Sequence, residues 1–86
     1  MTARIHPGES NSSFVVQGFL QFVCSNDPLA KEIRNKYIFY VIPMANPDGV
    51  VAGNYRTSLF GKDLNRTFDQ MRKFAFPEIY YLLRFA

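Results

Sequence analysis

Tyr37-Ile38-Phe39-Tyr40-Val41-Ile42-Pro43, written YIFYVIP, is a continuous apolar run of aromatic and β-branched residues. It lacks the apolar-polar alternation of a half-buried strand. That predicts a strand covered on both faces, as in a parallel sheet. Upstream, Thr2 to Ile5 is a shorter strand candidate that delivers His6 into a Pro-Gly turn. Helical patterns separate the two. Ser10 to Ser13 offer N-cap side chains, and Phe14, Val15, Val16, Phe19, Leu20, Phe22 and Val23 recur at helical spacing with a wide buried face. The first helix is therefore expected to reach about Cys24, with Gly18 allowing close packing on a sheet. Asp27 and Pro28 suit the cap and first position of a second helix through LAKEIR. Strand, helix, strand is a βαβ unit, so the expected class is α/β, with mainly parallel strands and flanking helices.

Composition narrows the field. The chain has 86 residues, room for one small domain. An apolar fraction of 48%, with nine Phe and five Tyr against 20% charged residues, excludes a disordered chain. It also implies more apolar surface than so short a chain covers. A net charge of +3 without a basic stripe argues against a nucleic-acid partner. A lone cysteine, Cys24, fits a reducing compartment and reads as a small core residue on an apolar helical face. No signal-like N-terminus is visible, and no apolar run approaches the roughly 20 residues a membrane span needs. A soluble, cytoplasmic protein with no membrane partner is the expectation.

From Ala45 to about Thr67 the sequence turns polar and turn-rich, a connection long enough to suggest function. Asn46-Pro47-Asp48-Gly49 predicts a tight turn after the strand, where open α/β sheets place ligand sites. "GNYR" and "DLNR" bring Arg56, Asn65 and Arg66 into the same loop, and guanidinium forks match carboxylates. Pro77 opens a last helix, with Phe74, Phe76 and Tyr80 expected to face the sheet and Arg72 and Lys73 to be solvated. His6 and Glu9, three residues apart in "RIHPGES", are zinc-donor types at a strand end. Taken alone the pair is a weak signal, and the preferred reading is a solvated histidine and a glutamate favoured by a helix N-terminus.

Taken in order, His-Pro-Gly-Glu, the apolar run, Asn-Pro-Asp-Gly-Val, Gly-Asn-Tyr-Arg and Asp-Leu-Asn-Arg resemble the zinc carboxypeptidase family, and specifically its cytosolic carboxypeptidase branch. The resemblance runs from about Ala3 to Leu83. It implies a partial zinc-carboxypeptidase-like fold over residues 1–86, the N-terminal part of the catalytic domain, truncated at both ends. By the same resemblance His6 and Glu9 are two of three ligands to one Zn2+. Arg56 stabilises the oxyanion, and Asn65 and Arg66 hold the substrate's terminal carboxylate. The implied partners are peptide or protein C-terminal tails, with glutamates removed from tubulin-like acidic tails.

The sequence also departs from that pattern. Its only histidine is His6, and its glutamates after Glu9 are Glu32 and Glu78, neither in the family's base motif. Asp63, Asp48 and Cys24 are the substitutes available for a third ligand, Asp63 the least remote. Without that ligand and a general base, the 86 residues alone are expected to be inactive and to need the rest of their domain for stability. The alternative is a non-catalytic module in which Arg56, Asn65 and Arg66 bind acidic C-terminal tails without cutting them.

Overall fold

The computed structural model describes residues 1–86. In chain order it contains helix α1 (Ser10–Val23), helix α2 (Pro28–Lys36), helix α3 (Pro47–Ala52), a single 3-10 turn (Leu64–Arg66) and helix α4 (Pro77–Phe85). The chain forms a slab of 44 × 26 × 16 Å. A helix with its side chains is about 10–12 Å across, so the slab is barely thicker than one layer of elements.

The expected βαβ unit does not form. Its two strands are reduced to one isolated parallel bridge, Thr2 with Ile42. Ile42 N–H donates to Met1 O at 2.9 Å, and Ala3 N–H returns to Ile42 O at 2.9 Å, as a parallel ladder requires. The next rung slips by one residue: Ala45, not Met44, donates to Ala3 O at 2.8 Å. Pro43 has no N–H to give, and Arg4 turns the other segment sharply with φ of 53°. Upstream, Tyr40 O accepts from the Met1 amino group at 2.8 Å, and the Phe39 and Tyr40 rings meet Phe19 and Phe85. No strand pairs with Tyr37 to Tyr40, and Ile38 is 82% exposed. A strand buried on both faces needs cover on both. Here single ring contacts stand in for that cover, and the parallel geometry survives only at the run's end.

The helices follow their local signals more closely. Asp27 caps α2, its carboxylate accepting from Leu29 N–H at 2.8 Å, with Pro28 in the first turn. Asn46-Pro47-Asp48-Gly49 is not a simple turn: Asn46 caps α3, which Pro47 opens. The serines from Ser10 to Ser13 lie inside the first turn of α1 and do not cap it. Glu9 occupies the cap position, and Ser12 Oγ donates back to Glu9 O at 2.7 Å. On α1 only Val16 and Val23 are buried, while Phe14 and Val15 face outward. Gly18 meets nothing, and Cys24 is exposed rather than a core residue. The α1 and α2 helices pack on each other. Arg34 on α2 holds the junction by donating to the carbonyls of Val23 and Ser25.

The core proper is Leu64, Phe76 and Ile79, with Ile5, Ala75 and Leu83 against it. Two positions here correct the sequence-based reading. Leu64 lies in the connection expected to hold little core, yet it is wholly buried. Phe74, expected to face a sheet, is 97% exposed, whereas Phe76 two residues on is buried and Tyr80 half-buried. Arg72 and Lys73 are exposed as expected. Truncating Leu64 to alanine should cost about 2–5 kcal/mol in urea unfolding, the range for a large core side chain. Phe74→Ala should change stability by no more than about 0.5 kcal/mol.

Candidate metal centre

The turn carrying His6 is built by its neighbours. Arg4, in the left-handed region, donates Nε to Pro7 O at 2.7 Å and Nη1 to Ser13 Oγ at 2.8 Å. These bonds lace the turn to the start of α1 and offset the backbone strain at Arg4. Gly8 lies against Tyr55: a Cβ there would sit 2.2 Å from the Tyr55 ring, and Gly8 N–H donates to Tyr55 O at 2.7 Å. The residue before Arg56 is thereby fixed against the residue before Glu9. Asn46, fully buried, completes the frame. Its Nδ2 donates to the carbonyls of Ile5 and Thr57, each at 3.3 Å, while Oδ1 accepts from Gly49 N–H at 2.9 Å. One amide thus holds the residue before His6 and the residue after Arg56.

On that frame the single histidine lies between two carboxylates. His6 Nδ1 is 3.2 Å from Glu9 Oε1, and Nε2 is 2.9 Å from Asp63 Oδ1. Asp63 also accepts from Arg56 Nε at 2.8 Å through Oδ2 and from Asn65 N–H at 2.9 Å through Oδ1. His6 is buried; Glu9 and Arg56 are each about half-exposed, at 49%. Burial raises the Asp63 pKa, but hydrogen bonds from His6 and Asn65 and the charges of His6 and Arg56 outweigh it. The carboxyl is held below its ordinary value of 3.8.

The structure therefore joins His6, Glu9 and Arg56 through Asp63. Asn65 enters by its backbone N–H alone. Its side chain and that of Arg66 are exposed and make no hydrogen bond to His6 or Glu9; Arg66 Nη1 donates to Asn65 O at 3.1 Å. Asp63 does not supply a third ligand. It meets the ring nitrogen opposite the one facing Glu9, so one ion cannot use both carboxylates with this imidazole. Its position is that of a carboxylate that orients a metal-binding histidine. No group of three or more His, Cys, Asp or Glu side chains is arranged to hold a metal. The donor pair itself fits one: bonds of about 2.0–2.2 Å at a tetrahedral ion place a nitrogen and an oxygen about 3.3–3.5 Å apart, close to the 3.2 Å between Nδ1 and Oε1. Asp63 was weighed only as a substitute ligand, and Asn46 only as part of a turn, although Asn46-Pro47 carries a cap signal; Arg4 gave no comparable signal.

Comparison with known proteins shows the family. Residues 1–78 match the model of the zinc carboxypeptidase family. The chain belongs to that family. It is similar to cytosolic carboxypeptidase 2 of Mus musculus, 56% identical over 94% of this chain and 9% of the relative, and to cytosolic carboxypeptidase 3 of Bos taurus, 51% identical over 94% and 8%. The crystal structure of a metallo-carboxypeptidase from Burkholderia cenocepacia superposes with a TM-score of 0.91 at 33% identity, covering 96% of this chain and 23% of that one. This zinc carboxypeptidase chain thus spans about a tenth of the length of those curated relatives and under a quarter of the solved structure. Its family implies zinc. None of its helices is long and apolar enough to cross a membrane.

Asp63 binds a proton less readily folded than unfolded, so its anchoring contributes fully above its ordinary value of 3.8 and is lost as pH falls through the lowered one. The Arg56 Nε–H resonance, followed by NMR, should keep its paired position down to about pH 4 and shift only below it. Asp63→Asn should abolish that step.

Proposed function

We infer that residues 1–86 form part of the catalytic domain of a zinc metallocarboxypeptidase that hydrolyses C-terminal residues of peptides or proteins. His6 and Glu9 would hold one zinc ion. The observation that supports this reading is the two-sided hold on His6. With Nε2 committed to Asp63, Nδ1 is directed at Glu9, as an imidazole ligand oriented by a carboxylate requires. The third ligand and the general base have no counterpart among these residues, so turnover belongs to a polypeptide that supplies them.

When bound, zinc supplies a Lewis acid and a water whose pKa falls toward about 7. The chain's own residues do the rest. Asp63 fixes the ring plane and tautomer of His6. Arg56, anchored through Nε on Asp63, keeps its two terminal nitrogens free to donate to the oxygen that gains charge as the scissile carbonyl is attacked. Asn65 and Arg66 take the free carboxylate of the substrate, which confines the reaction to chain ends. By the family's resemblance, glutamates on acidic, tubulin-like tails in the cytoplasm are the substrates.

The test is made on the natural polypeptide carrying this segment, with peptides bearing free or amidated C-termini. Release of the terminal residue from the free form only, stopped by a chelator, supports the reading. Binding without release leaves the non-catalytic module; cleavage of both forms contradicts the clamp. Removing Arg66 by substitution with alanine should lower kcat/KM about 10- to 150-fold, the 1.5–3 kcal/mol of a hydrogen bond to a charged group. In zinc titrations, His6→Ala and Glu9→Ala should abolish binding alike. Asp63→Asn should weaken it by about 10- to 100-fold.

A further inference from the structure

A cavity of about 250 Å3 lies where α3 and α4 begin, lined in part by Asp48, Ser58, Leu59, Phe60, Phe74 and Glu78. Two of its oxygens are orphans. Ser58 is 2% exposed, and its Oγ has no hydrogen-bond partner. The Ser58 backbone, by contrast, is fully engaged. Its N–H donates to Lys62 O at 2.9 Å, and its O accepts from Gly61 N–H at 2.9 Å and from Asn54 Nδ2 at 3.3 Å. Glu78 Oε2 is buried without a partner too. Neither Glu78 nor Asp48 enters any of the chain's ion pairs, and no Lys, Arg or His lines the cavity.

Buried polar groups normally have hydrogen-bond partners, and a buried carboxylate oxygen without one is the costlier case. The cavity therefore carries an unmet demand for hydrogen-bond donors and for positive charge. A single water meets the first demand only, and its share of liquid volume, about 30 Å3, is a small part of the space. A calcium ion meets the second but takes about six to eight oxygens. Two carboxylates and a hydroxyl fall short of that beside Leu59, Phe60 and Phe74. A primary ammonium group instead has three N–H donors and a unit charge on an apolar stem. Asp48, Ser58 and Glu78 supply an acceptor for each of those donors. Phe74, 97% exposed, and Leu59 offer apolar surface for the stem.

We propose that Asp48, Ser58 and Glu78 form a binding site for an alkylammonium group, supplied by a lysine side chain or by a free amine of similar length. The inference does not rest on the zinc reading: neither carboxylate is bonded to His6, Glu9 or Arg56, whose partners are one another and Asp63. Glu78 and Ser58, with their buried oxygens, carry most of the affinity. Asp48, exposed, carries less.

The experiment uses the natural polypeptide carrying this segment and measures binding by calorimetry. The probes are N-acetyl-lysine methylamide, its Nε-acetylated counterpart, n-butylammonium chloride and calcium chloride. Saturable binding of the lysine probe, absent for the Nε-acetylated one, is the expected result and needs no variant. E78Q should weaken that binding about tenfold or more, the effect of a hydrogen bond to a charged group. D48N should weaken it by no more than about fivefold. Butylammonium binding as tightly as the lysine probe assigns the site to free amines, and a tighter lysine probe assigns it to a lysine within a polypeptide; either supports the proposal. No binding of either amine, equal binding of the Nε-acetylated probe, undiminished binding in both E78Q and S58A, or tighter binding of calcium would each overturn it.

Discussion

The two oxygens of Asp63 join parts of the chain that lie far apart in sequence. One meets His6 and the N–H of Asn65, the other the guanidinium of Arg56. The rest of the site depends on this because an imidazole has only two nitrogens. Once Nε2 is tied to Asp63, only Nδ1 can face Glu9, and the histidine becomes a directed donor rather than a rotating one. The same carboxylate also sets where Arg56 stands. One anion thus places a metal donor and a cation relative to each other, and its charge is kept by the groups it positions.

Such a junction holds only if its supports are stiff. Three features supply that stiffness, none of them chemically reactive in itself. Asn46 bridges the carbonyls of Ile5 and Thr57 from a fully buried position. Gly8 lets the Tyr55 ring and backbone close onto the turn, a contact no side chain would allow. Leu64, directly after Asp63, packs in one cluster with Phe76 and Ile79. Leu64 therefore ties the small core to the site, and much apolar surface stays exposed, on Tyr37 to Tyr40, on Phe14 and Val15 of α1, and on Tyr55, Leu59, Phe60 and Phe74.

That distribution explains what could be read from sequence. Helix starts were legible at Asp27-Pro28 and Pro77 because caps and prolines act through local backbone chemistry. The motif residues were legible by family resemblance, since their types and order survive without a structure. The YIFYVIP run misled because its composition records the environment it suits, two covered faces, and these 86 residues provide cover at one end only. The loop between Asn46 and Thr67 looked coreless because its one core residue, Leu64, is a single leucine among polar neighbours. Asp63 was weighed as a ligand when its place is behind the histidine. Spacing cannot tell which ring nitrogen a carboxylate will meet; that depends on how the segment after Arg56 returns to the His6 turn.

The most direct test of the account asks which nitrogen of His6 faces the metal. In the natural polypeptide loaded with cadmium-113 and labelled with nitrogen-15, the account predicts a cadmium–nitrogen coupling at His6 Nδ1, with Nε2 protonated toward Asp63. Coupling at Nε2 would mean that Asp63 does not orient the ring, and the site would have to be rebuilt around a different role for that carboxylate.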